Sequence, residues 1–156
     1  MNPNFVRLSG RLLVLAIAFL MCATVATYAA DTPSTPATPS GLKAARTKVD
    51  AGDYRGAIPV LTTYLQDHPR DADALNLMGF SLRKTGNPTQ ALDYYNRALA
   101  LAPQHLGANE YLGELYVEQG QLDKAKERLA VLRGACGNCE EYRDLAAAIA
   151  KAEKRS

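Results

Sequence analysis

Tryptophan is absent from this 156-residue chain, and only two histidines and three cysteines are present. That scarcity removes most site chemistry. His68 and His105 fall beside Pro69 and shortly after Pro103, in segments that read as loops. Neither has a Ser or Cys nucleophile with an orienting acid indicated beside it, so nucleophilic catalysis is not expected and both read as solvated bystanders. A zinc site wants four ligands, and two cysteines with two distant histidines do not supply them in a recognised spacing. No catalytic residue, metal or cofactor is expected. No stretch shows the pattern of a strand.

Excess charge is lacking too. The chain holds 18 Lys and Arg against 16 Asp and Glu. Arg7 and Arg11 stand among the first eleven residues, which contain no acid, and Leu12 to Ala30 carries no charge. Leu12 to Ala23 has the length of a signal-peptide core, and small residues follow at Thr27 and Ala29. Residues 1–29 therefore read as an export signal cut after Ala29. The alternative is an uncleaved anchor, because the uncharged run is just long enough to cross a bilayer. Lipid attachment at Cys22 is disfavoured by the bulky Met21 before it. Removing the two arginines leaves 16 positive against 16 negative side chains. A balance of zero gives no general attraction for nucleic acid, and a membrane contact is expected only if the N-terminal segment stays uncleaved. The expected location is periplasmic or secreted, or membrane-anchored and facing the periplasm.

What remains is ~125 residues, an ordinary single-domain size. Residues 30–40 contain Asp31 to Ser40, a Pro/Thr/Ser run with three prolines that reads as an extended linker. Beyond it, Ala72 to Pro103 shows two helical faces joined by Lys84-Thr85-Gly86-Asn87-Pro88. Asn87 suits an N-cap and Pro88 the first helical position. Gly79 and Ala91 would sit where the two helices cross, with Leu75, Leu82, Tyr95 and Ala98 around them. The spacing recurs forward in Leu112-Gly113, Tyr116, Gly120, Ala125 and Leu129, and backward, more weakly, in Ala45, Gly52, Ala57, Leu61, Tyr64 and Pro69.

This pattern resembles the tetratricopeptide repeat, with Leu75 at the position the family usually fills with tryptophan. The departures are Gly41 where a large residue opens a repeat, and Gly137 where Pro103 would recur. The resemblance implies an all-α solenoid of three helix pairs, at about residues 38–71, 72–105 and 106–137, within a repeat region of 41–137. Asp53 and Asp71 should cap the second and third helices, and Pro59 should kink the second. The sixth helix is expected over Leu122 to Arg133. Residues 138–156 should hold a capping helix, Glu140 to Lys154, with Tyr142, Leu145, Ala148 and Ile149 on its apolar face.

The family resemblance also implies function: exported bacterial relatives of this kind would be protein-binding modules, not enzymes. The first helices of the repeats would line a concave groove that takes a peptide or helix of another protein. Transferring the register gives Lys43 and Arg46 from the first repeat, Asn76, Phe80 and Arg83 from the second, and Glu110, Tyr111 and Glu114 from the third. Glu110, Glu114 and Glu118 would form an acidic ridge, so that charge changes sign along the groove. No carboxylate clamp is expected, because glutamates stand where a third cation would be needed.

One motif stands apart: Cys136-Gly137-Asn138-Cys139. Haem attachment would need a histidine next, and Glu140 is there instead. A thioredoxin-like pair belongs beside a strand–helix unit. A structural disulfide is the favoured reading, since loss of Cys22 leaves an even pair in an oxidising compartment. Gly134 and Gly137 would break the helix and let the ring close. A thiol-redox accessory role for the pair is the alternative function.

Overall fold

A computed structural model describes residues 39–155, and every element there is an α-helix: α1 (Pro39–Asp50), α2 (Tyr54–Asp67), α3 (Ala72–Lys84), α4 (Pro88–Leu101), α5 (Leu106–Glu118), α6 (Leu122–Cys136) and α7 (Glu140–Glu153). The expected export segment and nearly all of the linker lie outside the described residues. The linker's last two residues, Pro39 and Ser40, already belong to α1, where proline is tolerated at the first position.

The pairs α1–α2, α3–α4 and α5–α6 turn on one repeated device. Gly52, Gly86 and Gly120, 34 residues apart, have φ of 75°, 84° and 72°. In each turn the residue after the glycine donates its N–H to a carbonyl five residues back: Asp53 to Lys48 at 2.8 Å, Asn87 to Leu82 at 2.9 Å and Gln121 to Tyr116 at 2.8 Å. This is the closing bond of a helix terminus wound over a left-handed residue, and only glycine enters that conformation without strain.

The next helix then starts on a cap. Asp53 Oδ1 accepts from the Gly56 N–H at 2.9 Å, and Asp71 Oδ1 from the Ala74 N–H at 3.0 Å. Asn87 occupies the N-cap position of α4, but its side chain makes no capping bond; its amide donates to Thr85 instead. There Pro88 starts the helix through its fixed φ.

Two expectations are corrected. His105 is not a bystander. It is the N-cap of α5: Nδ1 accepts from the Ala108 N–H at 3.1 Å, and Nε2 meets Asp73 Oδ1 of α3 at 2.9 Å. Gly134 does not break α6, which continues three residues past Arg133 to Cys136; the left-handed Gly137, φ 72°, ends it. A lone glycine costs a helix only about 1 kcal/mol, and here Leu132 is fully buried just before it. The second helix holds as expected, with Pro59 inside α2, Tyr54–Asp67.

Packing follows from where small residues stand. A Cβ on Gly79 would lie 2.7 Å from ring carbons of Tyr95, which is fully buried; a Cβ on Gly113 would lie 2.4 Å from Leu145. So α4 presses its tyrosine into a slot in α3, and α7 presses its leucine into the matching slot of α5. Among the described helices, α1 touches α3, α3 touches α5 and α5 touches α7, whereas α2, α4 and α6 do not touch one another. The first helices therefore form a tight inner row and the second helices a splayed outer row. That arrangement is an all-α solenoid. α7 takes the inner-row place of a fourth pair. Its Leu145 and Ile149 are buried with Ala125 and Leu132 of α6, covering the apolar end that a solenoid would otherwise expose. The Sγ atoms of Cys136 and Cys139 are 2.03 Å apart, at disulfide distance, between the last residue of α6 and the N-cap of α7.

Candidate functional site

The inner row carries an aromatic patch. Phe80 of α3 is half-buried, its ring centroid 5.6 Å from that of Tyr54 at the start of α2 and 4.5 Å from that of Tyr111 of α5. The first pair meets edge to face at 78°, the second tilted at 42°, both favourable ring geometries. Two cations border the patch: Arg83 Cζ lies 5.5 Å from the Phe80 centroid and Lys84 Nζ 5.2 Å from it.

Arg83 faces inward. Its side chain is 4% exposed and donates to Glu114 Oε2 and Glu118 Oε1, both at 2.5 Å. One guanidinium thus ties α3 to two successive turns of α5. The Tyr95 ring, which fills the slot at Gly79, is close enough to Arg83 for the two groups to interact. Arg83 Nε and Tyr95 OH have no well-formed hydrogen-bond partner, although each shifts the other's titration. Burial disfavours the charge on Arg83, but Tyr95, Glu114 and Glu118 outweigh it and hold the guanidinium above its ordinary pKa. Burial pushes the Tyr95 phenol up, and burial together with Glu110 and Glu114 raises Tyr111 to about 12.

Glu110 lies one helical turn before Glu114. It is 8% exposed and makes no hydrogen bond or ion pair among the described residues. Burial, then Glu114 on its own helix and Asp144 and Glu141 on α7, raise its pKa to about 8, with Arg83 pulling the other way. The expected acidic ridge of α5 is therefore not a uniform solvated edge: Glu114 and Glu118 are bound to Arg83, and Glu110 is buried.

The sequence-derived residues thus separate into groups. Phe80, Arg83, Tyr111 and Glu114 come together on α3 and α5. Asn76 is buried, its Oδ1 without a partner, and its amide lies where a side chain on Gly107 would be 3.0 Å away. Lys43 and Arg46 are exposed on α1. Sequence reasoning missed Tyr54, which follows the Asp53 cap, and the acids Glu141 and Asp144 of α7. The signal for the latter pair was the acidic start of α7, visible once α7 is placed in the inner row.

The raised pKa of Glu110 has a direct consequence for stability. Unfolded, this carboxyl titrates near its ordinary 4.5; folded, near 8. Between those values the folded state holds a proton that the unfolded chain has lost, so the Glu110 contribution is intact below about pH 4.5 and lost as pH rises through about 8. Glu110→Gln cannot titrate. Thermal unfolding should give matching midpoints for variant and wild type near pH 4.5, with the variant increasingly the more stable as pH approaches 8. A difference that does not change with pH would contradict the assignment.

Known proteins fit this geometry. Tetratricopeptide repeat family models match residues 42–105 and 82–149, and together they run through all three helix pairs and most of α7. No curated protein sequence matches the chain. Among solved structures, the type III secretion translocator chaperone SycD of Yersinia enterocolitica superposes with a TM-score of 0.63 at 15% identity, over 75% of this chain and 89% of that one. A tetratricopeptide repeat protein from Parabacteroides merdae gives 0.66 at 19% identity, over 80% of this chain and 49% of that one. MamA from Desulfovibrio magneticus, from residue 41 onward, gives 0.59 at 20% identity, over 62% and 55%. The chain thus spans about half the length of the last two. The chain belongs to the tetratricopeptide repeat family.

Proposed function

We propose that this protein is a non-enzymatic interaction scaffold of the bacterial cell envelope that holds a segment of a partner protein on its inner helix row. The observation that carries the reading is Phe80, a large aromatic left partly exposed on the inner row with Tyr54 and Tyr111 against it. A ring that served the core alone would be covered. Rigid aromatics flanked by charge are the residues that anchor partner segments in protein interfaces. A structure of SycD in complex with a peptide of the translocator YopD supplies a precedent in a protein of similar fold.

Within this reading the buried residues of the site are scaffold. Arg83 is consumed by Glu114 and Glu118, and Asn76 is enclosed, so neither offers a free head group. The contact surface is Phe80 and Tyr111, with Tyr54 and Lys84 beside them, and the exposed Lys43 and Arg46 toward the α1 end. The paired cysteines serve as a local staple at the start of α7, where so short a loop contributes roughly 2 kcal/mol in the chain-entropy view.

Two measurements test this. The partner is recovered from an envelope extract, identified by mass spectrometry, and its affinity measured. Phe80→Ala should weaken it by more than ~1 kcal/mol, about fivefold or more, with an unchanged helical circular dichroism spectrum. Wild-type affinity in that folded variant would move the binding site off the inner row. For export, the intact mass of the protein isolated from cells should match a chain starting at Ala30 and two hydrogens lighter than its reduced form. A chain retaining Met1 in the membrane fraction would make the N-terminal segment an anchor.

A further inference from the structure

Next to the aromatic patch the surface is concave. The hollow is lined by Gly52, Asp53, Tyr54 and Arg55, from the α1–α2 turn and the start of α2, and by Lys84 and Thr85 at the end of α3. It measures about 330 Å³, the small end of the range for ligand pockets, and so suits a single side chain. It is continuous with the patch, because Tyr54 and Lys84 belong to both. The Tyr54 ring meets Phe80 edge to face, and Lys84 Nζ lies 5.2 Å from the Phe80 centroid.

The charges of this hollow are unbalanced. Its one acid, Asp53, is occupied within the chain: Oδ1 accepts from the Gly56 N–H at 2.9 Å, and Oδ2 accepts from Lys48 Nζ at 2.9 Å. Arg55 and Lys84 are exposed, and neither has an ion pair among the described residues. The next repeat shows the same level in balance. Glu114 and Glu118 stand one repeat on from Phe80 and Lys84, and Arg83 holds both carboxylates. There the chain supplies carboxylate and cation alike. At the α2–α3 hollow it supplies two cations from two helices and leaves the carboxylate to come from outside. Donors on flexible stems beside an aromatic face suit an acid that arrives with an apolar neighbour. The stems converge on the carboxylate oxygens while the ring takes the apolar group.

We infer that Arg55 and Lys84 form a seat for an aspartate or glutamate side chain of the partner segment, within a few residues of the apolar side chain that rests on Phe80. This rests on the reading of the inner row as the docking surface and names the chemistry of the segment at one end of it. Ion pairs at an exposed rim act chiefly on encounter and register. The seat therefore sets the direction in which the segment crosses the patch, and makes its binding sensitive to salt.

The test uses the protein as isolated from cells and a displayed library of random peptides. Peptides whose binding is lost with Phe80→Ala are retained, sequenced and synthesised with amidated C-termini, so that any carboxylate belongs to a side chain. They should share an aspartate or glutamate close to a large apolar residue. Replacing that acid by its amide should weaken binding to wild type by ~3-fold or more. The same replacement should change binding to the double variant Arg55→Gln, Lys84→Gln by no more than ~1.5-fold. With both positions reversed, Arg55→Glu and Lys84→Glu, a peptide carrying lysine in place of the acid should bind more tightly than its parent. Both substituted side chains are exposed and unpaired, so the helical circular dichroism spectrum should stay that of wild type. Three results would overturn the seat and leave the docking surface standing: Phe80-dependent peptides without an acid, peptides that bind only with a free C-terminus, or an equal loss of affinity for wild type and the double variant on amide replacement. If no selected peptide depends on Phe80, both readings fall together.

Discussion

The buried guanidinium of Arg83 is the interaction on which the inner face of this molecule depends. It lies between two repeats, under two aromatic rings, and holds two carboxylates of the next first helix. Such a group gains little net stability over a well-packed apolar one, but removing either partner strands the other. Its worth is geometric. It fixes how far α5 stands from α3, and so how Tyr111 meets Phe80. It also withdraws the site's central positive charge from use, which leaves Glu110 without a counter-ion.

Arg83 is buried next to another close approach. Gly79 lets Tyr95 cross close to α3, and the Tyr95 phenol interacts with the guanidinium. The same device appears once more at Gly113, but there the entering side chain is Leu145 of α7 rather than a residue of α6. The helix that ends the solenoid is thereby drawn into the inner row. It brings its acidic first turns toward Glu110. A single packing rule, a glycine on the first helix opposite a large side chain, thus sets both the fold's termination and the charge of its inner face.

Much of this was legible in the sequence because repeat geometry is written in small residues at fixed spacing. Gly52 and Gly120 mark left-handed helix ends, and Asp53 and Asp71 cap by a local bond that needs no tertiary knowledge. The role of His105 was not legible, because its cap is an imidazole nitrogen and its second partner, Asp73, is 32 residues away. Gly134 misled for the opposite reason: a local preference for breaking a helix is small beside the burial of Leu132. At the site, Phe80 could be placed on the inner row by register alone. The pairing of Arg83 with Glu114 and Glu118 could not, since register places these residues on one surface without saying whether they face solvent or each other. Glu141 and Asp144 were hidden by treating α7 only as a cover.

The central claim is that Arg83 belongs to the scaffold and not to the partner. A double-mutant cycle on Arg83→Gln and Glu114→Gln, read by urea unfolding of the isolated protein, tests it without any ligand. The account predicts a coupling of about 1–3 kcal/mol, with each single variant less stable than wild type. A coupling near zero, with Arg83→Gln as stable as wild type, would mean that the guanidinium is free of the fold and available to a partner.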